Sequence, residues 1–276
     1  MTLQNDPDRI RIHVYTVCWN EEQFLPFFLR HYSSFADRIV VYDNQSTDST
    51  PDIVRSCPIA ELRTFDTNGS FDDHANINIK NNSYKESCGE ADYVIVVDSD
   101  ELIYHPDLKR VLLQHKRDGI TLPRTKGLDM VSWRFPTAEK DITELVRLGR
   151  ESLEYSKRCI FDPSLDMNFE IGCHDCTPEG NVVENKEAEL FMLHYHYLGL
   201  MRCINRHRIV RSRLAKAKNN KVAYQYRWGA SKLVGRFVGY RLDSHDVIRN
   251  RRSYLSTTFG PPVKWLKSMY WRIGSR

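Results

Sequence analysis

The 276-residue sequence predicts an α/β fold: a mostly parallel sheet flanked by helices, followed by a basic helical C-terminal extension. Three observations carry that expectation. Short β-branched runs alternate with helix-spaced apolar segments over residues 11–104, the order that builds a parallel sheet with helices on its faces. Polar clusters close four successive strand-like runs, at Asn20-Glu21, Asp43-Asn44, Asp66 and Asp98-Ser99-Asp100, and ligands of open α/β sheets gather at the carboxyl ends of strands. Charge is also divided. Residues 200–276 hold 19 Lys or Arg against Asp243 and Asp246, hence +17, which leaves −13 on residues 1–199 of a chain with net charge +4. An acidic body with a basic tail reads as two functional zones, 1–199 and 200–276.

The elements follow in order. Residues 11–18, RIHVYTVC, read as a buried strand. Phe24, Leu25, Phe28, Leu29 and Tyr32 then recur at helical spacing. Ile39 to Tyr42 form a second strand, a polar turn runs from Asp43 to Asp48, and Ser49 or Thr50 caps a helix opened by Pro51. AELRTF, ending before Asp66, is a third strand, and residues 72–88 a polar-faced helix. Tyr93 to Val97 is the strongest strand and runs into Asp98-Ser99-Asp100-Glu101. Beyond it, residues 107–117 read as helix, 120–135 and 155–162 as strands, 163–189 as loop, 190–198 as strand and 200–218 as a helix with a basic face.

Composition is that of an ordinary soluble domain, 41% hydrophobic and 28% charged. No apolar run approaches the roughly 20 residues a membrane-spanning helix needs. The opening MTLQNDPDRIRIHVYTV lacks an apolar signal region, so a cytoplasmic protein is expected, peripheral at most to the inner face of the membrane. Seven irregularly spaced cysteines argue against a disulfide framework. Cys173-His174-Asp175-Cys176 has the spacing of half a zinc site, but no second such pair completes it.

Chemistry concentrates at Asp98-Ser99-Asp100. Continued as a strand, this segment places both carboxylates on one side of the chain. Two like charges there are relieved by a divalent cation, with oxygen ligands suited to Mg2+ or Mn2+. Such a cation keeps positions open for phosphate oxygens. An acidic turn after a strand is the plain alternative.

Three segments together resemble family-2-like glycosyltransferases. They are Val17-Cys18-Trp19-Asn20-Glu21-Glu22 with the following FLPFFLRHY, Tyr42 to Thr50 (YDNQSTDST), and Asp98-Ser99-Asp100-Glu101. The resemblance is close over residues 12–104 and looser beyond 150. It implies the GT-A fold, with a nucleotide-binding half at about 10–104 and an acceptor half at about 105–199. It also implies metal-dependent transfer, inverting at the anomeric carbon, from a nucleotide-sugar donor (a UDP-sugar favoured) to a saccharide or lipid-linked acceptor. By position, Asp43 meets base or ribose, Thr16, Asn20 and Glu21 line the same pocket, and Asp66 lies near the base. Asp98 contacts ribose, a metal-bound water or the metal, and Asp100 binds the metal. Asp43 to Asp48 also reads as an Asx-type cap, and both readings can hold.

His194 and His196 share one strand face, and the resemblance implies that one of them adds a metal ligand; a histidine satisfied among Tyr195 and Tyr197 is the alternative. Glu170, His174 and Asp175 are candidates for the base that an inverting transfer requires. Lys157 and Arg158 neutralise a diphosphate or form a solvated pair. Arg202, Arg206, Arg208, Arg211, Arg213, Lys216 and Lys218 make a positive stripe, and with Trp265, Tyr270 and Trp271 they suit an anionic membrane surface. No nucleic-acid motif appears, so nucleic acid is not expected. A nucleotidyltransferase is the other catalytic reading, but it usually carries a glycine-rich phosphate loop, and residues 11–30 contain none.

Overall fold

The computed structural model describes residues 8–137, 139–214 and 228–249. Five strands form a first sheet: β1 (Ile12–Cys18), β2 (Arg38–Asp43), β3 (Ala60–Thr64), β4 (Tyr93–Asp98) and β8 (Ile160–Phe161), in the order β3-β2-β1-β4-β8. β1 to β4 are mutually parallel, and β8 joins the edge antiparallel to β4. The predicted parallel sheet is therefore present. Its central strands β1 and β4 are buried almost throughout, as their continuous apolar runs require.

A second sheet was not foreseen. It contains β5 (Glu101–Tyr104), β6 (Thr125–Ser132), β7 (Leu148–Glu151), β9 (Leu190–Leu198) and β10 (His245–Asp246), in the order β10-β7-β6-β9-β5. Only β6 and β9 are parallel, with an irregularity between Asp129 and Val131; the other pairs are antiparallel. The fold is thus α/β with mixed sheets. β4 and β5 are separated only by Ser99 and Asp100. The acidic motif is the hinge between the two sheets rather than the continuation of one strand.

Helix α1 (Leu25–Ser33) locks that hinge. It buries Leu25, Phe27, Phe28, Leu29, His31 and Tyr32. Tyr32 Oη donates to the Glu101 carbonyl at 3.0 Å and accepts from the Ile103 N–H at 3.1 Å. Both atoms belong to β5, so packing of α1 sets where Glu101 begins. Helix α2 (Thr50–Arg55) follows β2, and α3 (Asp73–Asn82) follows β3. α3 is opened by Asp72, whose carboxylate accepts from the His74 and Ala75 N–H groups. A 3-10 turn over Ser83–Ser87 takes up the rest of the predicted 72–88 helix. α4 (Leu108–Arg117) matches the expected 107–117 segment, and α5 (Ile142–Leu145) is a single turn.

The basic segment begins with α6 (Leu200–Leu214), and α7 (Ala230–Leu242) follows. Cys203, Leu233 and Phe237 pack with Val131 and Tyr197 of the second sheet. Described residues of the 200–276 segment are therefore part of the packed body. Lys216, Lys218, Trp265, Tyr270 and Trp271 lie outside the described residues. Among the described residues no helix is long and apolar enough to cross a membrane.

Candidate active site

A cleft of about 480 Å³ opens at the carboxyl ends of β1, β2 and β4 and is closed by α3, the 154–174 loops and α6. Glu21, Asp98, Asp100, Lys157, His174, His194 and His196 line it. The two halves of the acidic motif differ sharply there.

Asp98 ends β4 and faces cations. Its Oδ1 accepts from Lys80 Nζ at 2.5 Å, and its Oδ2 lies 3.8 Å from Lys157 Nζ. Lys157 is itself bonded to Glu101 Oε1 at 2.6 Å, in a pair with side chains only 4% and 2% exposed. Burial opposes ionisation of Asp98, yet the two lysines hold its carboxyl below the usual range. Lys80 sits on α3, seven residues after Asp73, so two helical turns bring a cation from outside the motif to its first carboxylate. The repulsion expected between Asp98 and Asp100 is met on this side by the protein's own charges.

Asp100 faces imidazoles. Its Oδ2 lies 3.8 Å from His194 Nε2 and 3.4 Å from His196 Nδ1. One ligand atom from each of the three residues lies within 4.8 Å of the others, a spacing that could hold a metal ion; among the described residues that group does not include Asp98. The two histidines share a face because strand side chains alternate, as expected from their spacing. Burial works against the Asp100 charge, but His194 and His196 depress its carboxyl below the ordinary range. Burial likewise opposes charge on His194, but Asp100 and Asp129 raise its pKa, whereas burial prevails at His196 and lowers it.

Support comes from residues carrying no sequence signal. Asp129, 1% exposed on β6, accepts from His194 Nδ1 at 2.9 Å, the carboxylate–histidine arrangement that fixes a ligand's tautomer and aim. Register explains the contact: Asp129 pairs with His194 across β6 and β9. Tyr155 stacks on His194 with ring centroids 3.7 Å apart. A side chain at Gly127 would begin 2.1 Å from the Tyr155 carbonyl carbon, so a glycine on β6 is what lets that loop lie against the sheet. His207 Nε2 lies 3.2 Å from His196 Nε2.

Other predicted residues fall elsewhere. Thr16 is buried within β1 and is not at the cleft surface. Asn20, at φ 51°, braces the loops after β1 and β2, accepting from the Thr47 N–H at 2.8 Å. Asp43 accepts from the Ser46 N–H at 3.0 Å, the Asx-type cap, and Asn44 beside it lines the cleft instead. Asp66 is exposed and caps its own turn through the Asn68 N–H. Glu170 and Asp175 are exposed and do not line the cleft. His174 does, and its Nδ1 donates to the Glu154 carbonyl at 3.0 Å. That carbonyl can only accept, so Nδ1 carries the proton and Nε2 is the basic nitrogen of the neutral ring. Glu154, also in the cleft, was not anticipated. Arg158 is taken up by Glu184 at 2.7 Å.

The basic stripe divides. Arg202 and Arg206 turn inward onto Glu21, whose carboxyl is nevertheless raised by its burial. Arg213 lies over the Trp19 ring at 3.9 Å. Arg208 and Arg211 remain exposed.

A family model described as Glycosyl transferase family 2 matches residues 13–173, more than half of the chain. No curated protein matches the sequence. Among solved structures, Staphylococcus aureus TarS is similar at 16% identity and TM-score 0.40, over 83% of this chain and 43% of that one. This chain thus spans less than half the length of that TarS chain. Residues 1–349 of TarS give 14% identity and TM-score 0.38, over 96% and 79%. Glucosyl-3-phosphoglycerate synthase from Mycobacterium tuberculosis, in complex with phosphoglyceric acid, gives 21% and 0.30, over 43% and 44%.

Proposed function

The chain belongs to glycosyl transferase family 2 and has an α/β fold of the GT-A type, and on that premise we propose that it transfers a sugar, with inversion, from a nucleoside-diphosphate donor to a saccharide or lipid-linked acceptor. The observation that carries the proposal is the convergence of Asp100, His194 and His196 on one point at the strand ends of the cleft. One carboxylate and two imidazoles fit a divalent ion, and the nitrogen donors favour Mn2+ over Mg2+. When bound, that ion supplies positive charge to the leaving diphosphate.

The chain's own residues take the remaining roles. Asp129 holds His194 with Nε2 toward the cation site, and Asp100 draws the second imidazole beside it. Lys80 and Lys157 neutralise Asp98, which leaves its partly exposed carboxylate to accept from a donor hydroxyl. His174 is the acceptor base in this reading, since its Nε2 is unprotonated in the neutral ring and it lines the cleft; Glu170 and Asp175 do not. Arg208, Arg211 and the following basic segment are where peripheral contact with an anionic membrane is expected. A UDP-sugar is the favoured donor.

The test is release of nucleoside diphosphate from a panel of nucleotide sugars, with Mn2+ and with EDTA, in wild type and His194→Ala. Metal-dependent release abolished in the variant is expected. Equal release in EDTA would sink the proposal.

A further inference from the structure

We propose that Arg213 reads the donor's nucleobase: its guanidinium donates to a ring carbonyl oxygen, so the cleft selects an oxo base such as uracil over adenine. This rests on the cleft being a nucleotide-sugar site, as read above, and gives the basic helix a task inside the fold.

Arg213 is 7% exposed. A guanidinium so buried ordinarily faces a carboxylate, because an uncompensated buried charge is costly. Among the described residues none lies within ion-pair distance of Arg213. Its Nη2 donates to the Ser70 carbonyl at 2.9 Å and reaches Thr67 Oγ1 at 3.5 Å, and its plane covers Trp19. Its Nε has no hydrogen-bond partner. Burial, with Arg206 adding, lowers its pKa, as expected for a cation short of compensation. The residue is held in position with donor capacity left over, and it lines the cleft.

Its place in the sheet order says which part of a ligand it meets. Thr67 and Ser70 follow β3, and Trp19 follows β1. Those strands lie on the far side of β4 from β8, whereas the cation site is at the β4–β5 hinge and β9. A nucleotide with its diphosphate at Asp100 and the histidines must direct its nucleoside along the cleft toward Trp19, Asn44, Phe71 and Arg213. A second phosphate suits this end poorly. Asp73 Oδ2 and Asn76 Oδ1, on the α3 wall of the same cleft, are buried acceptors without partners and offer an anion nothing. A nucleobase suits it better, since its ring carbonyl is an uncharged acceptor that Arg213 can take.

Calorimetric titration of UDP, ADP and inorganic pyrophosphate, each with Mn2+, tests this in wild type, Arg213→Met and Arg213→Lys. A hydrogen bond to a charged group is worth about tenfold or more in affinity. Wild type is expected to prefer UDP to ADP by about that factor. Arg213→Met should lose the preference and keep its pyrophosphate affinity. Arg213→Lys retains the charge and stem, so it decides the matter if the Met variant melts early, and it too should lose the preference. A UDP preference that survives both substitutions overturns the proposal, and so does pyrophosphate binding that falls together with UDP binding. If wild type binds neither UDP nor pyrophosphate, the donor-site reading itself fails, and the assignment of Arg213 falls with it.

Discussion

Asp98 and Asp100 are two residues apart and sit in opposite kinds of surroundings. Asp98 closes a strand of the first sheet against Lys80 and Lys157. Asp100 lies in the step to the second sheet, against His194 and His196. On one side the charge is balanced by ammonium groups of the chain, which cannot be removed without cost. On the other it faces imidazoles, which in their neutral form can offer a nitrogen lone pair to an external cation. The pair is therefore not one symmetric clamp. In the reading proposed above, a lysine-paired carboxylate and a metal-ligand carboxylate stand side by side, and substitution should separate them.

The largest effect is expected on the lysine side. Glu101→Gln leaves Lys157 buried without its main partner, and breaking a buried pair by removing one member costs about 3–5 kcal/mol. Thermal unfolding without metal should show a large drop in Tm. A Tm close to wild type would mean that the Lys157–Glu101 pair does not hold the hinge.

Asp100→Asn should behave in the opposite way. The amide keeps the shape, so metal-free Tm is expected to stay within a few degrees of wild type. Turnover with saturating donor and Mn2+ should fall about a hundredfold or more, the scale for a lost transition-state electrophile. Retained turnover would remove Asp100 from the metal set, and a collapsed Tm would make it a structural carboxylate.

Much of this contrast lay beyond sequence reasoning, for a physical reason. Strand-end polar clusters follow from local pattern, and so does the shared face of His194 and His196; both were legible. Asp129 belongs to no motif and reaches His194 only through a pairing of β6 and β9 across 65 residues. Lys80 is one cation on a polar helix until α3 packs over β1. The parallel sheet was legible because its strands are continuous apolar runs, whereas β5, β7 and β10 have four, four and two residues and leave no periodicity to detect. Charge counting also misread α6. Seven cations on one segment resemble a surface stripe, but Glu21 and Trp19, nearly 200 residues earlier, draw Arg202, Arg206 and Arg213 inward. Of the three candidate bases, only His174 has the chain path that brings it to the cleft.

Asp129 sharpens the histidine side. Asp129→Asn keeps a hydrogen-bonding group near His194 Nδ1 but removes the charge that raises the basicity of the ring. Loss of such a supporting partner typically costs about 10–100-fold in metal affinity. Mn2+ titration should show a shift near the lower end of that range. Unchanged Mn2+ affinity would detach His194 from the metal set.

The smallest effect is expected at Asp73, a third carboxylate in the same cleft that has neither lysine nor histidine bonded to it among the described residues. Burial, reinforced by the nearby charge of Asp98, pushes its carboxyl up to about 6, with Lys80 opposing only in part. A carboxyl whose folded pKa exceeds its unfolded value near 3.8 favours the folded state when protonated. That contribution is fully present below the unfolded pKa and is lost as pH rises through about 6. At pH 8 the protein therefore carries an ionised, partly buried Asp73 with no cation of its own. Asp73→Asn removes this burden, and it should raise stability by about 1 kcal/mol at pH 8 while leaving it nearly unchanged at pH 4. The amide still occupies the first turn of α3, where Asp72 supplies the cap, so the helix itself is not at risk. Denaturant unfolding of both proteins at the two pH values reads the difference directly. A variant less stable at pH 8 would mean that the ionised Asp73 has a cationic partner after all, and would place it with Asp98 on the lysine side of the comparison.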